Sequence, residues 1–366
     1  MNRRKFLGMT GATMVGLNAG GPTQAVDYAN TGTKILQRKP TDDGYHFPAE
    51  WDRHTQTLMQ FPPPQNWPSH QLRLARKEWA SVANAVAECE PVTMAVRKQD
   101  KSAAQKLLSA DITLIEMPLN DAWSRDSGPM IVKNRAGRKR VAGFTFNGWG
   151  GKFPPYGDDA LAKGRFAAHL GLEMYPSDLV LEGGAVAVDG QGTLLTTEEC
   201  LLNKNRNPTW SKTEIEQELK NFLGVKKIIW LPKGLTPDPI TDGHIDGMAA
   251  FAAPGVVLLH TTSQTSDPNY AITQTAKRIL QETTDARGRR FEVIEVPLTS
   301  WDLVHMNFYI CNGAVIVPIA NSKSEDDAPL GILKDVFPNH RIVGVSGKIM
   351  AGGGGGVHCI TQQVPA

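Results

Sequence analysis

The apolar positions of residues 71–89 fall on one side of a helix. Leu72, Ala75, Trp79, Val82, Val86 and Cys89 recur at alternating steps of three and four, which predicts an amphipathic helix with Cys89 on its buried stripe. Capping chemistry marks further helix starts. Ser211 stands three residues before Glu214, a capping-box spacing, and Asp267 precedes Pro268 as an N-cap precedes a first-turn proline. Asp327 before Ala328-Pro329 is a weaker start of the same kind, and another helix begins near Asp158. Short strand-like runs lie between the helices, at 141–146, 179–182, 227–231, 256–260, 291–296 and 314–318. The turn Asp189-Gly190-Gln191-Gly192 joins two more strands.

The helix starts are 53 to 60 residues apart, so each period holds several strands and one helix. We read residues 45–366 as a single α/β domain assembled from about five such units. The competing reading is an irregular α+β domain with coincidental spacing. Residues 26–44 are polar and aperiodic and are predicted to form a linker.

Residues 1–25 read as an address. Arg3-Arg4-Lys5-Phe6-Leu7 opens a weakly apolar, glycine-rich stretch with no acidic residue before Asp27, and Thr23-Gln24-Ala25 supplies small residues. This fits a twin-arginine-type signal peptide and predicts a periplasmic or secreted mature protein. The apolar stretch is shorter than the ~20 residues a spanning helix needs, and no later run is long enough. The mature chain is therefore expected to lack a membrane span.

With 41% hydrophobic and 21% charged residues the chain has ample material for a core. The net charge is +2, with no basic stripe carrying interleaved aromatics, so nucleic acid is not an implied partner. Four cysteines, Cys89, Cys200, Cys311 and Cys359, are too few for a disulfide scaffold. Cys200 and Cys311 lie in apolar, strand-like contexts and read as packing residues.

Polar residues flanked by glycine mark the candidate chemistry, because there the backbone must pass close to something. They are Asp126 in Ser124-Arg125-Asp126-Ser127-Gly128, Glu182 before Gly183-Gly184, His244 and Asp246 between Gly243 and Gly247, and Cys359 after the glycines 352–356. Asn307 is a fainter fifth. Asp126, Glu182, His244, Asn307 and Cys359 are separated by 56, 62, 63 and 52 residues. The period that sets the helices thus sets these groups too, and units arranged in a ring would bring them to one centre.

Cysteine is a strong nucleophile that needs activation, and histidine moves protons near neutral pH. Three carboxylates beside them would repel an anion but hold a planar guanidinium through its edge donors. The set suits attack on a guanidinium carbon better than acyl transfer, which wants an oxyanion hole. A cysteine peptidase and a non-catalytic guanidine-binding exported protein are the alternatives from other classes. His358, His305 and His260 show no recurring ligand spacing, so zinc is rejected.

Asn120-Asp121-Ala122-Trp123-Ser124-Arg125-Asp126-Ser127-Gly128-Pro129, Glu182-Gly183-Gly184, residues 196–203, Gly243-His244-Ile245-Asp246 and His358-Cys359-Ile360-Thr361-Gln362-Gln363 resemble the agmatine deiminase and bacterial-type peptidylarginine deiminase family. Phe47-Pro48-Ala49-Glu50-Trp51 resembles its usual opening. The resemblance implies the pentein α/β-propeller, five ββαβ units about a pseudo-fivefold axis. It implies Cys359 as the nucleophile of a covalent amidino intermediate, His244 as acid and base, Asp126 and Asp246 as guanidinium carboxylates, and Glu182 as the residue orienting His244. Asn307 matches a polar site position. Trp123 is expected to pack on the substrate's aliphatic chain and Asp121 to meet its distal amine.

No metal or organic cofactor is implied. The expected substrate is agmatine, with peptidyl or free arginine as the alternative, and a homodimer is the oligomer the resemblance suggests. Two departures bear on the substrate: Val304-His305 stands where many members carry Ser-Tyr, and Gly356 where many carry Asn.

Overall fold

The repeat corresponds to five small sheets in the computed structural model, which describes residues 26–300 and 303–366. The predicted signal segment lies outside the described residues. The first sheet holds β1 (His54–Gln60), β2 (Val92–Val96) and β3 (Thr113–Glu116), with helix α1 (Ser69–Ala87) crossing from β1 to the parallel β2. Four further units repeat one pattern, a hairpin followed by a helix that returns the chain to a third strand parallel to the second. They comprise β4 (Met130–Lys133), β5 (Lys139–Thr145), α2 (Ala162–His169) and β6 (Met174–Val180); then β7 (Val186–Val188), β8 (Thr193–Thr197), α3 (Lys212–Leu223) and β9 (Lys227–Leu231). Next come β10 (Ala249–Ala253), β11 (Val256–Thr261), α4 (Asn269–Glu282) and β12 (Glu292–Pro297), and finally β13 (Tyr309–Cys311), β14 (Ala314–Ile319), α5 (Lys323–Val336) and β15 (Arg341–Ser346).

The ring is closed by the C-terminus. Strand β16 (Thr361–Pro365) pairs antiparallel with β1, Met59 opposite Thr361 and Gln56 opposite Val364, so the first sheet gains its hairpin partner from the far end of the chain. The first strands of neighbouring units also touch, β7 against β10 and β4 against β16. This is the five-unit α/β-propeller expected of a pentein. Strands β2, β8 and β16 are buried along their whole length, as strands covered on both faces must be.

Local chemistry accounts for the helices and for three departures from expectation. Ser211 caps α3 with the capping box its spacing predicts. Asp267 takes the Asn269 N–H at 2.7 Å at the head of α4. Helix α1 stops at Ala87, however, and Cys89 lies beyond it, half-buried, with its sulfur 3.3 Å from Arg341 Nη2. The stripe continued in sequence past the point where the helix ended. Helix α5 starts at Lys323, a turn before the predicted Asp327, with Pro329 inside it. The missing Pro329 N–H leaves the Glu325 carbonyl without its helical donor, and Thr299 Oγ1 supplies one at 2.7 Å. Residues 26–44 are laid against the second unit: Tyr28 is buried, and Lys34 and Leu36 exchange backbone hydrogen bonds with Met174. Those contacts come from isolated side chains and main chain, which leave no periodic trace. Among the described residues no helix is long and apolar enough to cross a membrane.

Candidate active site

Each candidate site residue stands just upstream of the first strand of a unit. Asp126 lies in the helical turn Ser124–Ser127 before β4, Glu182 at the head of the turn Gly183–Ala185 before β7, and His244 and Asp246 around the turn Ile245–Gly247 before β10. Asn307 precedes β13, and Cys359 lies in the turn His358–Ile360 before β16. Those first strands lie side by side around the centre, so one period of the chain delivers one turn to the same place.

Gly184 shows how close these groups come. A Cβ there would lie 2.6 Å from His244 Nδ1, 2.9 Å from Asp246 Oδ2 and 3.0 Å from Asp126 Oδ1. Its backbone N–H donates to Asp126 Oδ1 at 3.0 Å, and Trp149 Nε1 donates to Asp126 Oδ2 at 2.9 Å. Trp149 reaches that position from a left-handed backbone, φ 54°, between glycines 148 and 150. Cys359 Sγ lies 3.5 Å from Asp246 Oδ2, and its backbone N–H donates to Asn307 Oδ1 at 3.2 Å. Asn307 also accepts the His358 N–H on its carbonyl at 2.9 Å, so it holds the main chain at Cys359 while lining the cleft.

Burial sets the baseline for every charge here, and neighbours decide the outcome. Burial raises the Asp126 carboxyl, with Asp246 and Glu182 adding to the rise against His244. Burial opposes ionisation of Asp246 as well, but His358 outweighs it and the carboxyl ends below its ordinary range. Burial disfavours the His244 imidazolium, yet Asp126, Cys200 and Glu182 lift its pKa well above the ordinary value. Burial, then Asp246 and Asp126, push the Cys359 thiol well up. The resting pair is therefore a thiol and an imidazolium.

Glu182 is placed between His244 and a second buried cation. It is fully buried, its Oε2 is 3.9 Å from His244 Nε2, and its Oε1 receives Arg206 Nε at 2.6 Å. Burial would raise this carboxyl, but Arg206 and His244 bring it down to about 2. Arg206 is itself held by Asn205, Asp242 and the Thr241 carbonyl. The ligand atoms of Glu182, Cys200 and His244 lie within 4.8 Å of one another. A cation in that group would face the buried Arg206 guanidinium, which makes it a poor metal cradle. Cys200, read as packing, thus also lies against His244.

The cleft above has two lobes that meet at Cys359. The larger, open to solvent, is walled by Trp67, Trp123, Trp149 and Phe153, with Asp121 and Asp238 in its lining. Trp79 of α1 fixes this wall: its ring packs edge-on against Trp67 and Trp123, and its Nε1 bonds the Ala122 carbonyl at 3.1 Å. Asp121 accepts from Asn66 Nδ2 at 2.8 Å and from the Ala122 N–H at 2.9 Å. The smaller lobe is lined by His244, Asp246, Asn307 and Val304.

The two departures from the family pattern separate here. Val304 faces the cleft, whereas His305 turns away to Asp326 at 2.8 Å. A Cβ on Gly356 would lie 2.7 Å from Asn307 Oδ1, so Asn307 occupies the space a larger residue would fill. His260 bonds the Val296 carbonyl at 3.0 Å and accepts the Met306 N–H, a neutral structural histidine.

Sequence reasoning missed Glu50, Arg125, Trp149, Arg206 and the role of His358. His358 lies between Asp246 Oδ2, 2.9 Å from its Nδ1, and Glu50 Oε2, 2.8 Å from its Nε2. Arg125 Nη2 reaches the same Glu50 oxygen at 3.2 Å, and the Ile310 N–H takes the other at 2.9 Å. Adjacency to quoted motifs was the available signal: His358 beside Cys359, Arg125 beside Asp126, Glu50 in the opening segment.

Residues 46–365 match the model of the Porphyromonas-type peptidyl-arginine deiminase family. The chain belongs to this family. A putative agmatine deiminase of Vibrio parahaemolyticus is 38% identical over 361 residues, covering 90% of this chain and 99% of that protein. An agmatine deiminase of Medicago truncatula is also 38% identical, over 90% of this chain and 99% of its own. Among solved structures, the agmatine deiminase of Enterococcus faecalis superposes with a TM-score of 0.87 at 35% identity, over 91% of this chain and 99% of that one. Family membership accounts for the five turns converging on one thiol and makes the chain a hydrolase of C–N bonds.

Proposed function

We propose that this protein is an agmatine deiminase that converts agmatine and water to N-carbamoylputrescine and ammonia through Cys359. The observation that carries the reading is the position of the Cys359 sulfur, 3.5 Å from Asp246 and facing Asp126, beneath a cleft with Asp121 and Asp238 in its lining. Among the described residues that line the cleft there is no lysine or arginine. A guanidinium fits between the carboxylates and a cationic tail fits the aromatic walls. The α-carboxylate of free arginine would meet carboxylates there and, among the described lining residues, no lysine or arginine.

In the proposed mechanism the substrate's cation offsets Asp126 and Asp246, which favours transfer of the Cys359 proton to solvent as the substrate binds. The thiolate adds to the guanidinium carbon. His244 gives its proton to the departing nitrogen, the C–N bond breaks, and ammonia leaves an amidino thioether on Cys359. Neutral His244 then takes a proton from water, and the hydroxide adds to the same carbon. Collapse breaks the C–S bond and the hydroxyl proton passes to the Cys359 sulfur, giving the neutral ureido product and the resting thiol, while the proton first given to solvent ends on ammonia as ammonium. Glu182 acts through the charge and placement of His244.

We also propose export, on the twin-arginine pattern of residues 1–25, so that the enzyme works in the periplasm or outside the cell. Loss of the processed form from that fraction on Arg3→Lys with Arg4→Lys tests it. Function is tested by ammonia release from agmatine, free arginine and a short arginine peptide side by side. Agmatine turnover well above the others is expected. Dominant peptide turnover would move the assignment to peptidyl deimination, and no ammonia from any of them would sink the enzyme reading.

A further inference from the structure

Beneath the nucleophile, charges of alternating sign form a chain. Arg125 Nη2 meets Glu50 Oε2 at 3.2 Å, Glu50 Oε2 meets His358 Nε2 at 2.8 Å, and His358 Nδ1 meets Asp246 Oδ2 at 2.9 Å. Arg125 is anchored in turn by Gln363 Oε1 at 2.8 Å and the His358 carbonyl at 3.3 Å. Both ring nitrogens of His358 face carboxylate oxygens, which accept only. Both must then carry hydrogen, and a ring with two N–H groups is an imidazolium. The charged groups facing it are Glu50 from the loop before β1, Asp246 from the turn before β10 and Arg125 from the turn before β4. The two carboxylates outweigh burial and Arg125 and raise the His358 pKa above its ordinary value.

The chain ends at the oxygen that also faces Cys359 Sγ, since Asp246 Oδ2 accepts from both. We propose that His358 is a positioning residue: an imidazolium clamped between Glu50 and Asp246, it holds the Asp246 carboxylate ionised and oriented to receive the substrate's guanidinium beside the thiol. Glu50 is the outer half of the clamp. It fixes the ring through one oxygen and is itself fixed by Arg125 and the Ile310 N–H. His358 offsets one of the two carboxylates crowded against Cys359, so it also lowers the repulsion that a thiolate meets there. This role rests on the deiminase reading above.

The test compares wild type, His358→Gln and Glu50→Gln for ammonia release from agmatine across pH, with thermal unfolding as the check on folding. His358→Gln should raise KM by roughly tenfold or more, the usual consequence of losing a charge-assisted hydrogen bond. It should do so with little added loss when Asp246→Asn is already present. Glu50→Gln removes a carboxylate that favours the imidazolium, so the alkaline fall of kcat/KM should move to lower pH. Glu50 does not touch His244, so such a shift reports on His358. A folded His358→Gln with wild-type KM, or a folded Glu50→Gln with an unmoved alkaline limb, would overturn the proposal. Wild-type protein that releases no ammonia from agmatine would instead overturn the functional reading on which it stands.

Discussion

Arg206 Nε lies 2.6 Å from Glu182 Oε1, and neither side chain is exposed to solvent. The pair stands behind His244, so the carboxylate 3.9 Å from that imidazole is itself neutralised by a second buried charge. Removing the guanidinium leaves the buried anion with only His244, 3.9 Å away, to offset it, and breaking such a buried pair typically costs about 3–5 kcal/mol. Arg206→Met should lower stability by that order in denaturant titration at pH 7. The sign with pH follows from the depressed Glu182 pKa of about 2. The pair's stabilisation is fully present above the unfolded carboxyl value of about 4.3 and is lost as pH falls toward the folded value. In Arg206→Met burial acts on Glu182 with less to oppose it, so its carboxyl titrates above the wild-type value, and the stability gap should be large at neutral pH and narrow as pH falls through the variant's pKa toward about 2.

Trp149 and Asp126 offer a pH test of the site. The indole N–H at 2.9 Å helps keep Asp126 ionised against its burial. Trp149→Phe retains the ring that packs edge-on against Phe146 and Phe153 but removes the donor. The already raised Asp126 pKa should rise further. On the proposed mechanism an ionised Asp126 holds the guanidinium, so activity is expected above that pKa and lost below it. The acid limb of kcat/KM should move to higher pH, and kcat/KM at neutral pH should fall by about tenfold, as loss of a hydrogen bond to a charged group implies.

Gly184→Ala should separate activity from folding. Its φ is not in the left-handed region, so alanine can adopt the backbone, but the methyl would press on His244, Asp246 and Asp126. Ammonia release should fall by about a hundredfold or more, because an ångström of misplacement costs that much. The unfolding temperature should stay close to wild type.

Cys359→Ser should fold and bind agmatine while turnover drops by about a thousandfold or more, since a serine hydroxyl in this anionic setting cannot replace the thiol. Isothermal titration with agmatine together with the ammonia assay checks both halves. Substantial turnover by this variant would remove Cys359 from the nucleophile's role.

Much of the architecture was legible in the chain because it is local and repeated. Hydrophobic period, capping chemistry at Ser211 and Asp267, and the hairpin turn at Asp189-Gly190 are set by neighbours a few residues away, and strand β9 (Lys227–Leu231) falls where its pattern predicts. The spacing of Asp126, Glu182, His244, Asn307 and Cys359 was legible for the same reason, because each precedes the first strand of a repeated unit. Where a helix stops or tolerates proline was not legible, since Cys89 and Pro329 depend on partners, Arg341 and Thr299, far along the chain or outside the helix.

By itself the sequence determined which turns reach the centre, because the period of the fold is written in its local patterns and in the spacing of Asp126, Glu182, His244, Asn307 and Cys359. Tertiary structure alone decided what each group there is paired with. Arg206 reaches Glu182, and Trp149 reaches Asp126, from later loops of their own units more than twenty residues along the chain, while Glu50 and Arg125 meet beneath His358 at the seam where β16 meets β1. The physical reason is that charge pairing in a buried site is a matter of ångströms, and separation along the chain does not encode it. The same motifs without that closure would hold a thiol, an imidazole and carboxylates, but not the ionisation states that let them work together.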